Sequence, residues 1–168
     1  MTLNMYQASI PVMLQMFGSI AAVLDKAAAQ AAERKIDPTV LVNARLAPDM
    51  IPLSAQVQIM TDQAKGCAAR LAGIDIPSYA DTEKTIDELK ARIAKTVDFV
   101  KSLTPDQING AEDREVTLKI GGNDLKLKGS QYFFHFFLPN FYFHATTAYD
   151  ILRHNGIQIG KRDFIGSF

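Results

Sequence analysis

Cysteine is nearly absent from this chain. Among 168 residues only Cys67 carries a thiol, which excludes a disulfide framework within the chain and any cysteine-rich zinc site. Its alanine neighbours on a helical stretch make it a small buried hydrophobe rather than a nucleophile. Net charge is absent too: 18 Lys and Arg balance 18 Asp and Glu. Nucleic-acid binding needs a basic surface that displaces counterions, so nucleic acid is not an expected partner. Nor is there attraction to an anionic membrane. The apolar N-terminal stretch, residues 1–24, lacks a basic leading segment and is interrupted by Asn4, Gln7, Gln15 and Ser19. It does not read as a signal peptide, and a cytoplasmic location is expected. No internal repeat, low-complexity linker or charge run divides the chain. Histidine is scarce: the three present all lie between positions 135 and 154.

What is present is an ordinary globular balance, with 48% hydrophobic and 21% charged residues, enough for one domain over 1–168 with a real core. Tyr6, Ile10, Met13, Leu14, Phe17, Ile20, Ala21 and Leu24 recur at steps of three and four, one apolar face of a helix. Pro11 is expected to kink it. The alanine-rich stretch 27–32 extends it. Asp37-Pro38 reads as a cap followed by proline at the first helical position, starting a short helix to about Leu46. Leu53, Val57, Met60, Ala64, Cys67 and Leu71 mark a second long helix, stopped by Gly73 and Pro77. Asp49 is the expected cap for it. Thr82 is the expected cap of a third, carrying Ile86, Leu89, Ile93, Val97 and Val100. Thr104-Pro105 then begins one short turn, closed by Gly110. From Arg114 the period changes to strict alternation on either side of Gly121-Gly122, a β-hairpin whose apolar face should lie on the helices. Ser130 is expected to cap a fourth long helix running to about His154, with Gly156 as its left-handed stop.

That fourth helix is unusual. Residues 131–149, QYFFHFFLPNFYFHATTAY, include nine aromatics and no charge. A helix apolar all round must be enclosed on most sides. It can be the central helix of a bundle, bury its outer face in a homodimer, or span a membrane. Its polar residues and the lack of a second span disfavour the last. Asn140, His144 and Thr147 share one face, and His135 shares another with Tyr142. Pro139 should kink the helix between them, leaving room for an aromatic-walled pocket. His144 and His135 are the candidate catalytic residues, and Asn140, Asp49, Gln56 and Tyr142 the candidate ligand-binding ones. Each also has a bland reading: a hydrogen-bonded core imidazole, an amide that satisfies carbonyls freed by the proline, a helix cap, a core tyrosine. No serine sits on an identifiable elbow, and Gly121-Gly122 precedes no helix, so neither a serine triad nor a phosphate loop is indicated.

The stretches FFHFFLPNFYFHATTAYDILRHNGIQIGKRDFIG and ARLAPDMIPLSAQV resemble a family of uncharacterised bacterial and fungal proteins within the DinB/YfiT-like superfamily. The resemblance covers nearly the whole chain. It implies an all-α fold in the main, a four-helix bundle with a short β-hairpin inserted before the last long helix, often a dimer. Many DinB-like relatives carry a three-histidine divalent-metal site; no cofactor is firmly implied for this chain, with zinc or nickel the candidate ion. The superfamily pattern places one ligand on the second helix and a His-x-x-x-His pair on the fourth. Aligned on Gly156, the pair falls on Asn140 and His144, and the second-helix position has no histidine, with Asp49 and Gln56 the nearest polar residues. On that pattern His144 is the one candidate metal ligand, and a three-histidine site of the DinB arrangement cannot be built. Two functions follow as expectations: a homodimeric scaffold or small-molecule-binding protein with a degenerate metal site, or a metal-dependent hydrolase or thiol-dependent transferase using His144.

Overall fold

A computed structural model describes residues 3–167. Four long helices dominate it: α1 (Met5–Glu33), α3 (Leu53–Ala72), α4 (Ile86–Lys101) and α7 (Leu138–His154). Shorter helices α2 (Pro38–Asn43), α5 (Pro105–Ile108), α6 (Gly129–Gln131) and α8 (Lys161–Ile165) and one antiparallel hairpin, β1 (Glu115–Ile120) with β2 (Asn123–Lys128), complete it. α3 packs mainly on α7 and α4, while α1 closes the bundle against α4 and α7. The expected helical bundle with an inserted hairpin is thus the observed architecture.

α1 starts where Asn4 accepts the amide of Gln7 and Gln7 returns the bond to the backbone of Asn4, a reciprocal cap that satisfies two orphan donors. Pro11 lies inside its first turns, and the helix runs on as one element to Glu33. By length and composition this helix could cross a membrane. Its apolar face, however, is the bundle core: Met13, Phe17, Leu24 and Ala27 are fully buried.

Three caps differ from expectation, each for a local reason. Asp49 is exposed in a turn, and α3 begins after Pro52 with no side-chain cap; the proline ring holds the residue before it extended, so the helix cannot start earlier. α4 begins not at Thr82 but after Thr85, because Glu88 lies three residues on and closes a reciprocal box with it. Thr82 has no such partner. At the fourth helix, Ser130 is inside the first turn and donates to the carbonyl of Glu112, while Lys128 takes the cap position. Gly129 decides this, since a Cβ there would overlap the carbonyl oxygen of Ala111. α2 is capped by Asp37 as expected but ends at Asn43, short of Leu46. Ala44 turns extended and its carbonyl accepts the amide of Leu53.

Gly121 and Gly122 both take positive φ, the twisted two-residue turn that pairs Val116 with Leu127 and Leu118 with Leu125. The apolar face is covered only at its root: Val116 and Leu118 are buried, Ile120 and Leu125 are exposed.

Pro139 was expected to kink the fourth helix. A π-helical turn over Tyr132–Phe137 lies just before the proline and joins α6 to α7. A π turn widens the ladder where the proline supplies no donor and its ring presses on the preceding turn. Phe133, Phe137 and Phe141 stack in succession with ring centroids 5.5 and 5.2 Å apart, and Phe17 of α1 meets Phe141 edge-on.

Candidate functional site

α7 aims His144 at α3, where Gln56 lies one turn in from the helix start. His144 Nδ1 is 2.7 Å from Gln56 Oε1. The Gln56 amide nitrogen donates to the carbonyl of Ile51 at 3.3 Å, which fixes the amide and leaves Oε1 as the acceptor. Nδ1 therefore carries the proton and donates, and the lone pair of the neutral ring is on Nε2. Among the described residues Nε2 has no hydrogen-bond partner, yet no buried polar side-chain atom is left unsatisfied, so Nε2 reaches solvent. Burial pushes the imidazole below its ordinary pKa, because desolvation disfavours the charged ring.

Of the other residues singled out from sequence, Asn140 is half-buried one turn before His144, while His135, Tyr142 and Asp49 are exposed. The structure brings together His144 and Gln56 and leaves His135 and Asp49 outside that pair. Five of the surface cavities are lined by residues other than His144, Gln56, His135 and Asn140. At the π turn before Pro139 the rings of Phe133, Phe137 and Phe141 stack in succession.

The donor set does not fit a transition-metal ion. One imidazole nitrogen is free, the partner is a neutral amide whose oxygen already accepts a hydrogen bond, and no carboxylate joins them. Among the described residues no group of three or more His, Cys, Asp or Glu comes together. Structural and catalytic sites for such ions take three or four imidazole, thiolate or carboxylate ligands.

A second polar cluster escaped sequence reading. Arg92 of α4 is almost fully buried and is ringed by Asp62 at 2.8 Å, Asp81 at 3.0 Å and Glu83 at 3.1 Å. It also donates to Thr61 Oγ1 and the carbonyl of Ala80, and Lys65 pairs with Asp62 at 2.6 Å. Burial pushes Glu83 up, but hydrogen bonds from Gln58 and Arg92 outweigh it and hold the carboxyl below its usual range. The segment between α3 and α4 has no regular structure of its own and is tied down by this arginine. One signal was visible: Arg92 sits three residues after Leu89, on the inward stripe of the helix. Cys67 is buried as expected. Burial pushes its thiol well up, outweighing the nearby Arg70 and the Tyr132 hydroxyl, so it is not a thiolate.

Comparison with known proteins supplies the relationship. A domain of unknown function (DUF1993) matches residues 5–165. The crystal structure of a DinB family member protein from Shewanella denitrificans superposes with a TM-score of 0.88 and 36% sequence identity, covering 97% of this chain and 92% of that one. No curated protein matches. Matched along nearly its whole length and folded like its DinB relative, the chain belongs to the DUF1993 family of the DinB-like superfamily.

Proposed function

We propose that this protein is a homodimeric binding or scaffold protein in which the corner of a former metal site has become a neutral hydrogen-bonded pair. The 2.7 Å contact between His144 Nδ1 and Gln56 Oε1 carries the reading. It places an amide beside the imidazole, where a metal centre needs a further anionic or imidazole donor. Self-association is supported by the charge-free stretch 131–149, which leaves Phe134, Tyr142 and Phe143 exposed. A small molecule and a second copy of the chain are the partners, and the cytoplasm is the compartment.

A second reading has one observation in its favour. The lone pair on Nε2 faces solvent, the arrangement of a histidine that binds a metal or accepts a proton, as a metal-dependent hydrolase or thiol-dependent transferase would need. Elemental analysis of protein purified without added metal separates the two. The binding reading expects no stoichiometric zinc, nickel or iron and an unfolding midpoint unchanged by chelator. One equivalent of metal that is lost in His144→Ala would overturn it in favour of the enzyme.

A further inference from the structure

We infer that the cleft between α3, the hairpin and the chain around Ile76 is a binding site for a small amphiphilic oxyanion, with Arg70 holding the anionic head. The inference gives the binding reading a ligand class but uses a different part of the surface from His144.

The cleft encloses about 330 Å³, at the small end of the range for ligand sites. One part of its lining is cationic and another apolar. Arg70 supplies the fixed charge. Its side chain folds back over Gly66 one turn earlier, where a Cβ would come 2.7 Å from Nη1, so the glycine makes the seat. Nη1 donates to the Tyr132 hydroxyl at 3.2 Å, and the guanidinium carbon lies 5.7 Å from the centre of that ring. Tyr132 is itself fully buried, so the support is rigid. A neutral phenol does not neutralise the arginine. Among the described residues neither Arg70 nor Lys119, which also lines the cleft, has a carboxylate within salt-bridge distance. The one acid in the lining, Asp62, already contacts Lys65 and Arg92. Among the described residues the remaining donors on Arg70 have no protein partner, and Arg70 lines the cleft, where a guanidinium fork suits two oxygens of one head group.

Opposite the charge stand Ile76, Leu118, Ile120 and Phe136. Ile76 and Ile120 are 42% and 45% exposed, apolar surface that nothing in the fold covers. Ile120 sits at the uncovered tip of the hairpin, beyond the buried Leu118. An apolar tail laid along these side chains with its head on Arg70 would cover both. A cation is excluded by the sign of the charge, and an uncharged chain leaves the guanidinium unanswered.

Titration calorimetry of the whole protein with decanoate, decyl phosphate, 1-decanol and acetate tests the assignment. Saturable one-to-one binding of decanoate or decyl phosphate is expected, at least tenfold tighter than 1-decanol or acetate. The tighter of the two identifies the head group as carboxylate or phosphate. Arg70→Gln should weaken binding at least tenfold, and its melting curve checks that the fold survives. Ile120→Ser, at an exposed position that leaves the fold intact, should weaken the amphiphiles several-fold without affecting melting. Equal binding of decanoate and 1-decanol, non-saturable uptake, or unchanged affinity in folded Arg70→Gln and Ile120→Ser would each overturn the site. The metal measurement above is independent of all these titrations, so failure here and failure of the non-metal reading are told apart.

Discussion

At His144 a single amide determines the state of the ring. Gln56 accepts the Nδ1 proton at 2.7 Å, and burial holds the ring neutral. Removing one partner leaves the other buried and unsatisfied, whereas removing both leaves only apolar surface. Gln56→Leu is therefore expected to cost about 1–3 kcal/mol, and the Gln56→Leu/His144→Leu double substitution clearly less than the two single changes added together. Urea denaturation of the four proteins measures the cycle; strict additivity would show that the pair does not interact. The same ring gives a pH dependence. With its folded pKa below the ordinary 6.5, the unfolded chain binds more protons as the solution is acidified, so stability falls as the pH is lowered. The contribution is complete above about 6.5 and is lost toward the depressed folded value. Unfolding midpoints measured between pH 8 and 5 should decline, and the decline should be shallower in the double variant. Arg92 has a larger effect of a different kind. Its three acids would be left with Lys65, on Asp62, as their remaining partner, and Arg92→Met is expected to cost about 2–4 kcal/mol. That is less than a fully enclosed network would cost, because Asp62 and Asp81 stay partly in water. A loss under 1 kcal/mol in the same denaturation assay would mean the network is only solvated decoration.

Among the elements, the junction of hairpin and fourth helix has the least tolerance. The helix begins directly at the end of β2. Gly129 allows this by pressing its bare Cα against the Ala111 carbonyl while its own amide donates to Arg114 at 2.8 Å. Gly129→Ala must push these backbones apart, at a cost of about 3 kcal/mol, the upper end of ordinary overpacking. Amide exchange would locate the damage: faster exchange in β1, β2 and the first turn of the fourth helix, with α1 and α3 unchanged. Capping shows why the element boundaries were harder to read than the elements. Asp37, Thr85 and Asn4 all cap, but the chain offers Asp49, Thr82 and Ser130 as equally good residue types. Proline at 52, glutamate at 88 and a crowded carbonyl at 111 select among them. Two of these selections are local and readable in retrospect. The third depends on a contact eighteen residues away in the chain.

For the molecule as a whole, the fourth helix sets the main question. Its inner face is covered by α1 and α3, while Phe134, Tyr142 and Phe143 remain open to solvent without a charge among them. The proposed self-association is expected to use these side chains. At micromolar concentration the protein is expected to scatter light as twice the 18.5 kDa chain, and Phe143→Glu should shift it to the monomer without lowering helical content. A monomeric parent protein would remove self-association from the proposed function. By itself the sequence determined the bundle, the hairpin with its two-glycine turn and the buried thiol. All of these follow from periodicity, turn chemistry and residue counts, which act along the chain. Only the tertiary structure decided that His144 meets Gln56 rather than His135, that a π turn precedes Pro139, and that Arg92 anchors the loop between α3 and α4. Those outcomes depend on which faces meet across helices, and spacing along one helix does not contain the rotation of its neighbour.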